Sequence, residues 1–337
     1  MVKEIFEVTD PIPLIGCIAF GLIDRGTNLI QVRPITTCPL SCIFCSTDAG
    51  PRSKRRLTEY IVPLDYLIEW FGKIVSFKGE YNIEAHIDTV GDPITYPRIV
   101  DLVSSLSSVK GVEIISMQTH GSTLTEKMID DLSDAGLTRI NLSIDAIDPE
   151  LAKNLSGTEW YNPSRIIDLM HYIVSNTKID LLIAPVWIPG VNDSEIPRII
   201  ELAKKIGAGR KFPPLGIQKY LVHKHGRKVR GIRSMSWRKF YDHLKRLENE
   251  YKVKLILRPE DFGIHKRPAL PIPYRQHDII RVKVVGPGWL KGEALAITEK
   301  GDRSVTLINA ERIPVGSRVK ARILSNKDNI FVAEVVI

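Results

Sequence analysis

Cys38-Pro39-Leu40-Ser41-Cys42-Ile43-Phe44-Cys45 is the stretch on which the reading of this chain turns. Three of the chain's 4 cysteines fall inside it, and Cys17 stands alone. So few thiols, so tightly grouped, do not form a disulfide framework; they point to a cytoplasmic protein whose thiols stay reduced and free for metal. The run directly follows a predicted strand, Leu29 to Arg33, which sets it at the C-terminal mouth of a βα array, where such folds keep their chemistry. Three thiolates on one compact loop suit a [4Fe–4S] cluster with one iron left open to a small molecule. A structural zinc ion would want a fourth ligand in paired spacing, and no CxxC or HxxxH partner lies nearby.

Outward from this loop, short β-branched runs alternate with amphipathic helical patterns. Strands are expected at Leu29 to Arg33, Ile83 to Thr89, Glu113 to Gln118, Arg139 to Ser143, Ile179 to Val186 and Gly216 to Leu221. Helices are expected near Leu64 to Phe77, Pro97 to Leu106, Glu126 to Ala135, Ser164 to Ser175, Glu195 to Ile206 and Trp237 to Tyr251. The fold class is therefore α/β, a partial (β/α)6 barrel. Residues 1–24 read as an N-terminal extension, 25–257 as the partial barrel and 258–276, with Pro259, Pro268, Pro271 and Pro273, as an extended linker. Residues 277–337 read as five strands parted by turns, a small antiparallel all-β barrel.

At the cysteines the sequence resembles the radical S-adenosylmethionine (SAM) superfamily, whose CxxxCxΦC motif is met by Cys38, Cys42, Phe44 and Cys45. The resemblance implies a cluster whose open iron chelates SAM, one-electron cleavage of that cofactor, and a 5′-deoxyadenosyl radical that takes hydrogen from substrate. It also implies an electron donor such as ferredoxin and leaves room for a partner enzyme. Phe44 would lie against the adenine. Gly91-Asp92-Pro93 resembles the family's GEP turn, with Asp92 where Glu is usual; a plain Gly-Asp-Pro turn is the alternative. Gln118-Thr119-His120-Gly121 resembles the TNG stretch, which makes Thr119 a polar contact to SAM. Ser143 and Asp145 match the family's polar pair at the fourth strand end, although strand-end Ser and Asp also cap helices. The loop Ile188 to Asp193 resembles one that meets the adenine, and Asn192 is the residue carried over; turn and capping roles fit Asn192 and Asp193 equally.

One remaining cysteine cannot hold a second cubane. Cys17 lies in an apolar run and reads as a packed thiol. Auxiliary-cluster chemistry, methylthio transfer and two-cysteine RNA methylation are disfavoured, leaving radical chemistry with a single cluster.

The last 60 or so residues resemble a TRAM domain, an OB-like barrel attached to RNA-modifying enzymes, through Lys291 to Ala296, Val305 to Ala310, Val315 to Ile323 and Phe331 to Val336. The resemblance, taken as archaeal-type, implies RNA contacts, with Lys291, Arg312, Lys320 and Arg322 as candidates beside Arg281, Lys283 and Trp289. Two basic loops add Arg52, Lys54, Arg55 and Arg56, and then Lys224, Arg227, Lys228 and Arg230. Solvated Lys/Arg loops are the alternative. Tyr220, Trp237 and Tyr241 read as core aromatics rather than stacking platforms.

The 337 residues are 44% hydrophobic and 26% charged, an ordinary globular balance that excludes disorder and coiled coil. The formal charge of +8 suits a polyanion, though a thermostable protein is often as rich in Lys and Arg. An Ile-rich chain with glutamine only at Gln31, Gln118, Gln218 and Gln276 suggests a thermophilic source. Pro11 to Ile23 is apolar but too short to span a bilayer and follows Glu4, Glu7 and Asp10, so neither anchor nor signal peptide is expected. The leading expectation is a radical SAM enzyme modifying structured RNA, tRNA first. Action on a small metabolite or lipid, and a nonenzymatic RNA-binding iron–sulfur protein, are the alternatives.

Overall fold

A computed structural model describes residues 3–336. In chain order the strands are β1 (Glu4–Glu7), β2 (Gly21–Asp24), β3 (Leu29–Arg33), β4 (Thr58–Ile61), β5 (Ile83–Ile87), β6 (Val112–Thr119), β7 (Arg139–Leu142), β8 (Asp180–Ile183), β9 (Val186–Trp187) and β10 (Gln218–Lys219). β11 (Ile279–Pro287), β12 (Glu293–Thr298), β13 (Ser304–Ile308), β14 (Arg318–Ser325) and β15 (Val332–Val335) follow. The helices are α1 (Leu64–Lys78), α2 (Ile99–Ser107), α3 (Glu126–Asp134), α4 (Pro149–Ser156), α5 (Pro163–Asn176), α6 (Glu195–Ile206) and α7 (Trp237–Tyr251). The chain packs as two units, one of Met1–Thr37, Lys54–Glu113 and Lys266–Ile337, the other of Cys38–Ser53 and Ile114–His265.

In the first unit β3 pairs in parallel with β5 and antiparallel with β2. Residues 1–24 are therefore no mere extension: β2 extends the sheet, and β1 pairs in parallel with β4. Both are four-residue strands, β1 paired with a distant partner and β2 lying at the end of an apolar run, so no local periodicity marks them. Helix α1 buries Leu64, Leu67, Phe71, Ile74 and Val75 on one stripe and stops at Gly79. Its last residue, Lys78, is buried too, with Nζ 2.6 Å from Asp24 Oδ1. The same ammonium donates to the carbonyls of Thr27 and Pro268, at 2.8 and 3.0 Å.

That second bond corrects the linker. The proline-rich run lacks the N–H groups for a sheet ladder, and its carbonyls are taken up by side chains of the same unit. Lys78 holds Pro268, Arg303 holds Pro271 at 2.7 Å and Asn329 holds Leu270 at 3.0 Å. Upstream, Pro259–Phe262 forms a short 3-10 turn. The segment is extended but strapped down rather than free.

The five C-terminal strands close into a barrel in the order β11-β12-β13-β15-β14. One seam, β13 with β15, is parallel, which corrects the all-antiparallel expectation. Small and large side chains alternate inside it, among them Ala294, Ala296, Ala321 and Ala333 against Val282, Leu307, Ile323 and Phe331. Within the first unit it is bonded to the early chain. Ser304 N–H donates to the Ile15 carbonyl at 2.9 Å, Phe331 N–H to Gly16 at 2.8 Å, Leu57 N–H to Trp289 at 2.8 Å and Lys291 N–H to Arg55 at 2.8 Å.

In the second unit β6, β7 and β8 lie in parallel register. The expected strand Ile179 to Val186 is broken into β8 and β9, and the expected strand at Gly216 to Leu221 is only the two-residue β10 paired with β9. Helix α4 was not expected, although its signals are local: Asp148 caps Leu151 N–H at 2.8 Å, Pro149 opens it and Gly157 closes it in the left-handed region.

Candidate functional site

The cysteine loop belongs to the second unit and is gripped along its backbone. Ser41 N–H donates to the Ser156 carbonyl at 3.0 Å and Ile43 N–H to Leu155 at 2.9 Å, so the end of α4 carries the first half of the loop. Arg227 carries the second half. Its N–H donates to the Cys45 carbonyl at 2.8 Å, and its guanidinium binds the Ala49 carbonyl and lies 3.2 Å from Asp48 Oδ1. Gly50 sits in the left-handed region, and a Cβ there would come within 1.7 Å of the Leu40 carbonyl oxygen, so only glycine lets the loop close on itself.

Cys42 is buried, while Cys38 and Cys45 are partly exposed. Burial pushes the Cys42 thiol well above its ordinary value, and the neighbouring Cys38, Asp145 and Cys45 push it the same way. Three thiolates beside a buried carboxylate are stable together only against strong positive charge, which is what an iron–sulfur cluster supplies. The N–H of Ala49 donates to Cys45 Sγ at 3.2 Å, a bond that steadies a thiolate. Among the described residues no three His, Cys, Asp or Glu groups converge as a site for one metal ion. A cubane presents its irons at separate corners, so its ligands need not converge on one point. The donor set therefore fits the cluster, which Cys38, Cys42 and Cys45 would hold.

Phe44 is buried beside these thiols in sequence, 8% exposed. Thr119 is buried and its Oγ1 accepts from Gly121 N–H at 3.0 Å, bracing the turn after β6. Ser143 Oγ accepts from Gln118 Nε2 at 2.8 Å. Asp145 accepts from Val186 N–H at 2.8 Å; burial raises its carboxyl above the usual range, opposed by His120 and by that N–H. Cys42, Asp145 and His120 are thus near neighbours electrostatically, a juxtaposition that spacing along the chain does not reveal.

The Asn192 side chain takes the turn-bracing role that the sequence also allowed. It is fully buried, its Oδ1 accepts from Ile188 N–H at 2.8 Å, and its Nδ2 donates to the carbonyls of Asp145 and Val186 at 2.8 and 2.9 Å. All its hydrogen-bonding groups are spent bracing two loops. Asp193 likewise accepts from Trp187 Nε1 at 2.6 Å and Gly190 N–H at 2.8 Å.

The Gly91-Asp92-Pro93 turn lies in the first unit. A Cβ on Gly91 would come within 2.1 Å of the Thr37 carbonyl and 2.3 Å of the Thr36 carbonyl, so the turn is packed backbone to backbone. Asp92 N–H donates to Thr37 at 2.8 Å, and its carboxylate accepts from Ile94 N–H at 3.2 Å as the cap of a short turn opened by Pro93.

Two of the candidate RNA contacts are clamps within the fold instead, Arg56 buried and Arg227 partly buried. Arg56 is 3% exposed: it donates to the Thr36 carbonyl at 2.6 Å, to Glu59 Oε2 at 3.0 Å and to the Val90 carbonyl, and lies 4.9 Å from the Trp289 ring centre. Arg227 is spent on the cysteine loop. Trp289, also named as an RNA contact, is buried under Arg56. Arg52, Lys54, Arg55, Lys224, Lys228, Arg230, Lys291, Arg312, Lys320 and Arg322 are exposed. Cys17 is a buried thiol pushed to about 11 by burial.

Residues 32–203 match the Radical SAM superfamily. The chain is 48% identical over 354 aligned positions to the protein MJ0103 of Methanocaldococcus jannaschii, covering 99% of this chain and 81% of that one. It is 26% identical over 195 positions to a GTP 3′,8-cyclase of Desulforamulus reducens, covering 56% of this chain and 55% of the cyclase. A solved structure of TYW1 with a lysine–pyruvate adduct bound superposes with a TM-score of 0.49 at 18% identity, over 73% of this chain and 80% of that one. The chain belongs to the radical SAM superfamily and is an enzyme that uses a [4Fe–4S] cluster and SAM. When bound, the two would supply one-electron chemistry. No helix among the described residues is long and apolar enough to cross a membrane.

Proposed function

We propose that this radical SAM enzyme modifies a structured RNA, with tRNA as the expected substrate and the C-terminal barrel as an OB-like, TRAM-type RNA-binding domain. One observation carries the reading. The antiparallel register of β11 and β14 sets Arg281 opposite Lys320 and Lys283 opposite Arg318. Like charges directly opposed across a strand pair are destabilising, and two successive pairs concentrate that strain on one face. Arg281 and Arg322 have acidic neighbours, Glu299 at 3.9 Å and Glu334 at 3.5 Å, whereas Lys283, Arg318 and Lys320 have none among the described residues. The four opposed cations also line a groove of about 410 Å³. A phosphodiester backbone laid along them relieves the repulsion and releases its own counterions.

In this reading Cys38, Cys42 and Cys45 would hold the cluster, and Phe44, Thr119, Ser143 and Asp145 would contribute to SAM binding. A ferredoxin-like protein would supply the electron. Nucleoside mass spectrometry of tRNA and rRNA from a strain lacking this protein tests the proposal: one modified nucleoside should disappear. A full nucleoside complement would refute it. Similarity to GTP 3′,8-cyclases favours a second reading, a free nucleotide substrate. Turnover of GTP by the reconstituted enzyme, with RNA left unchanged, would establish that reading instead.

A further inference from the structure

Trp237 and Tyr241 read in the sequence as core residues, yet they are 53% and 46% exposed. They stand one turn apart at the start of α7, outside its buried stripe of Phe240, Leu244 and Leu247. Their rings stack on each other, centroids 5.9 Å apart and planes 24° from parallel. The Lys219 ammonium lies 4.7 Å from the Trp237 ring centre. Each ring also meets the buried Phe240 edge-on, with centroids 6.1 and 5.7 Å apart, yet about half of each stays in water and forgoes the stabilisation that full burial would give.

The loop that leads into α7 supplies the second observation. It exposes Lys224, Lys228 and Arg230, and it is not a free loop. Arg227 N–H is bonded to the Cys45 carbonyl at 2.8 Å. Further along, Val229 N–H donates to the Tyr220 hydroxyl at 3.0 Å, and Ser234 Oγ donates to the Tyr220 carbonyl at 2.6 Å while accepting from Lys219 Nζ at 2.7 Å. Lys219 then reaches the Trp237 ring. One bonded path therefore joins the cysteine loop to the exposed rings, all within the second unit.

We infer that the Trp237–Tyr241 pair is a stacking platform for an unpaired base of the RNA substrate, with Lys224, Lys228 and Arg230 taking the flanking phosphates. The inference rests on the RNA reading above and narrows it. An exposed ring pair with Lys219 over one face and a basic loop leading into its helix suits single-stranded nucleic acid, because every base has a π-face and every linkage a charge, whereas a closed duplex offers no free base face. The substrate is therefore an RNA loop or bulge, and its base is held on an element bonded to the cysteine loop.

Binding of a tRNA transcript to the cluster-loaded full chain, measured across a salt series, tests this for Trp237→Ala, Tyr241→Ala and Trp237→Phe. Trp237→Ala should weaken binding roughly 5- to 100-fold with the slope of log affinity against log salt unchanged, since stacking releases no counterions. Trp237→Phe should recover most of the loss, and urea midpoints should stay at the parent value because both rings are exposed. The barrel double variant Lys283→Glu/Lys320→Glu should instead flatten the slope. Parent-like affinity in both alanine variants, with loss only in the barrel variant, would overturn the platform and leave the RNA reading standing. A parent chain that binds no tRNA would overturn both.

Discussion

Replacing Arg56 by methionine removes the most heavily used side chain in the first unit. The guanidinium is fully buried and its partner Glu59 nearly so. Breaking a buried pair from one side destabilises by about 3–5 kcal/mol, because the remaining charge is left uncompensated. Here Glu59 keeps Lys3 at 3.1 Å and the Thr36 hydroxyl at 2.6 Å, so its charge is not abandoned and the lower end applies. The carbonyls of Thr36 and Val90 lose their donor, while methionine packs against the Trp289 ring in place of the cation. The expected loss is about 3 kcal/mol. Urea unfolding of the cluster-free chain under reducing conditions measures it without metal loss distorting the transition. In Arg56→Met/Glu59→Leu no charge is stranded, so the double variant should lose less than the sum of the single changes, with a coupling of about 1–3 kcal/mol. A loss below about 1 kcal/mol for Arg56→Met, or strict additivity in the cycle, would refute the buried-clamp account. The salt slope of RNA binding should not change, in contrast to the barrel variants.

Gly50→Ala should displace the cysteine loop, since its Cβ would overlap the Leu40 carbonyl; iron and sulfide per chain after anaerobic reconstitution should fall by more than half, and full loading would contradict the geometry. Lys78→Met should destabilise by about 3 kcal/mol by removing the cation from Asp24, which keeps only the N–H groups of Gly26 and Leu270, and should open residues 266–276 to protease by releasing Pro268; unchanged proteolysis would show that the strap does not depend on this ammonium. Iodoacetamide at pH 8 should label Cys38 and Cys45 of the cluster-free chain but reach Cys17 only after denaturation, because burial holds that thiol near 11. Above the ordinary thiol value of 9.0 the folded chain keeps a proton that the unfolded chain has released, so stability from this group is lost between about pH 9 and 11. Cys17→Val should lessen that alkaline loss, and an unchanged urea midpoint profile would contradict it.

The cluster site was legible because its information is local: three ligands and an aromatic within one loop, placed after a strand by periodicity. Helix α4 was missed although its signals, Asp148-Pro149 and Gly157, are local, because it falls in a βα connection where one helix was already expected. Strands β1 and β4 were not legible, because four residues paired with a distant partner carry no period of their own, and β2 was missed because it lies at the end of the apolar run Pro11 to Ile23, where no alternation marks it. Asn192 shows the same limit at a side chain, since turn, cap and ligand roles ask for the same residue type.

What the sequence alone determined is the chemistry that local spacing encodes: a cysteine loop for a cluster with one open iron, strands alternating with helices, and a small β-rich tail. What the tertiary structure decided is which of many similar residues are free to act. Arg55 and Arg56 are adjacent and carry the same charge, yet one is exposed and the other is spent on Thr36, Glu59 and Val90. Lys228 and Arg227 divide the same way, and Trp237 and Tyr241 came out in water rather than in the core. Charge and hydrophobicity belong to a residue, but burial and hydrogen-bond partners belong to its neighbours in space, and those are set by contacts between segments far apart in the chain.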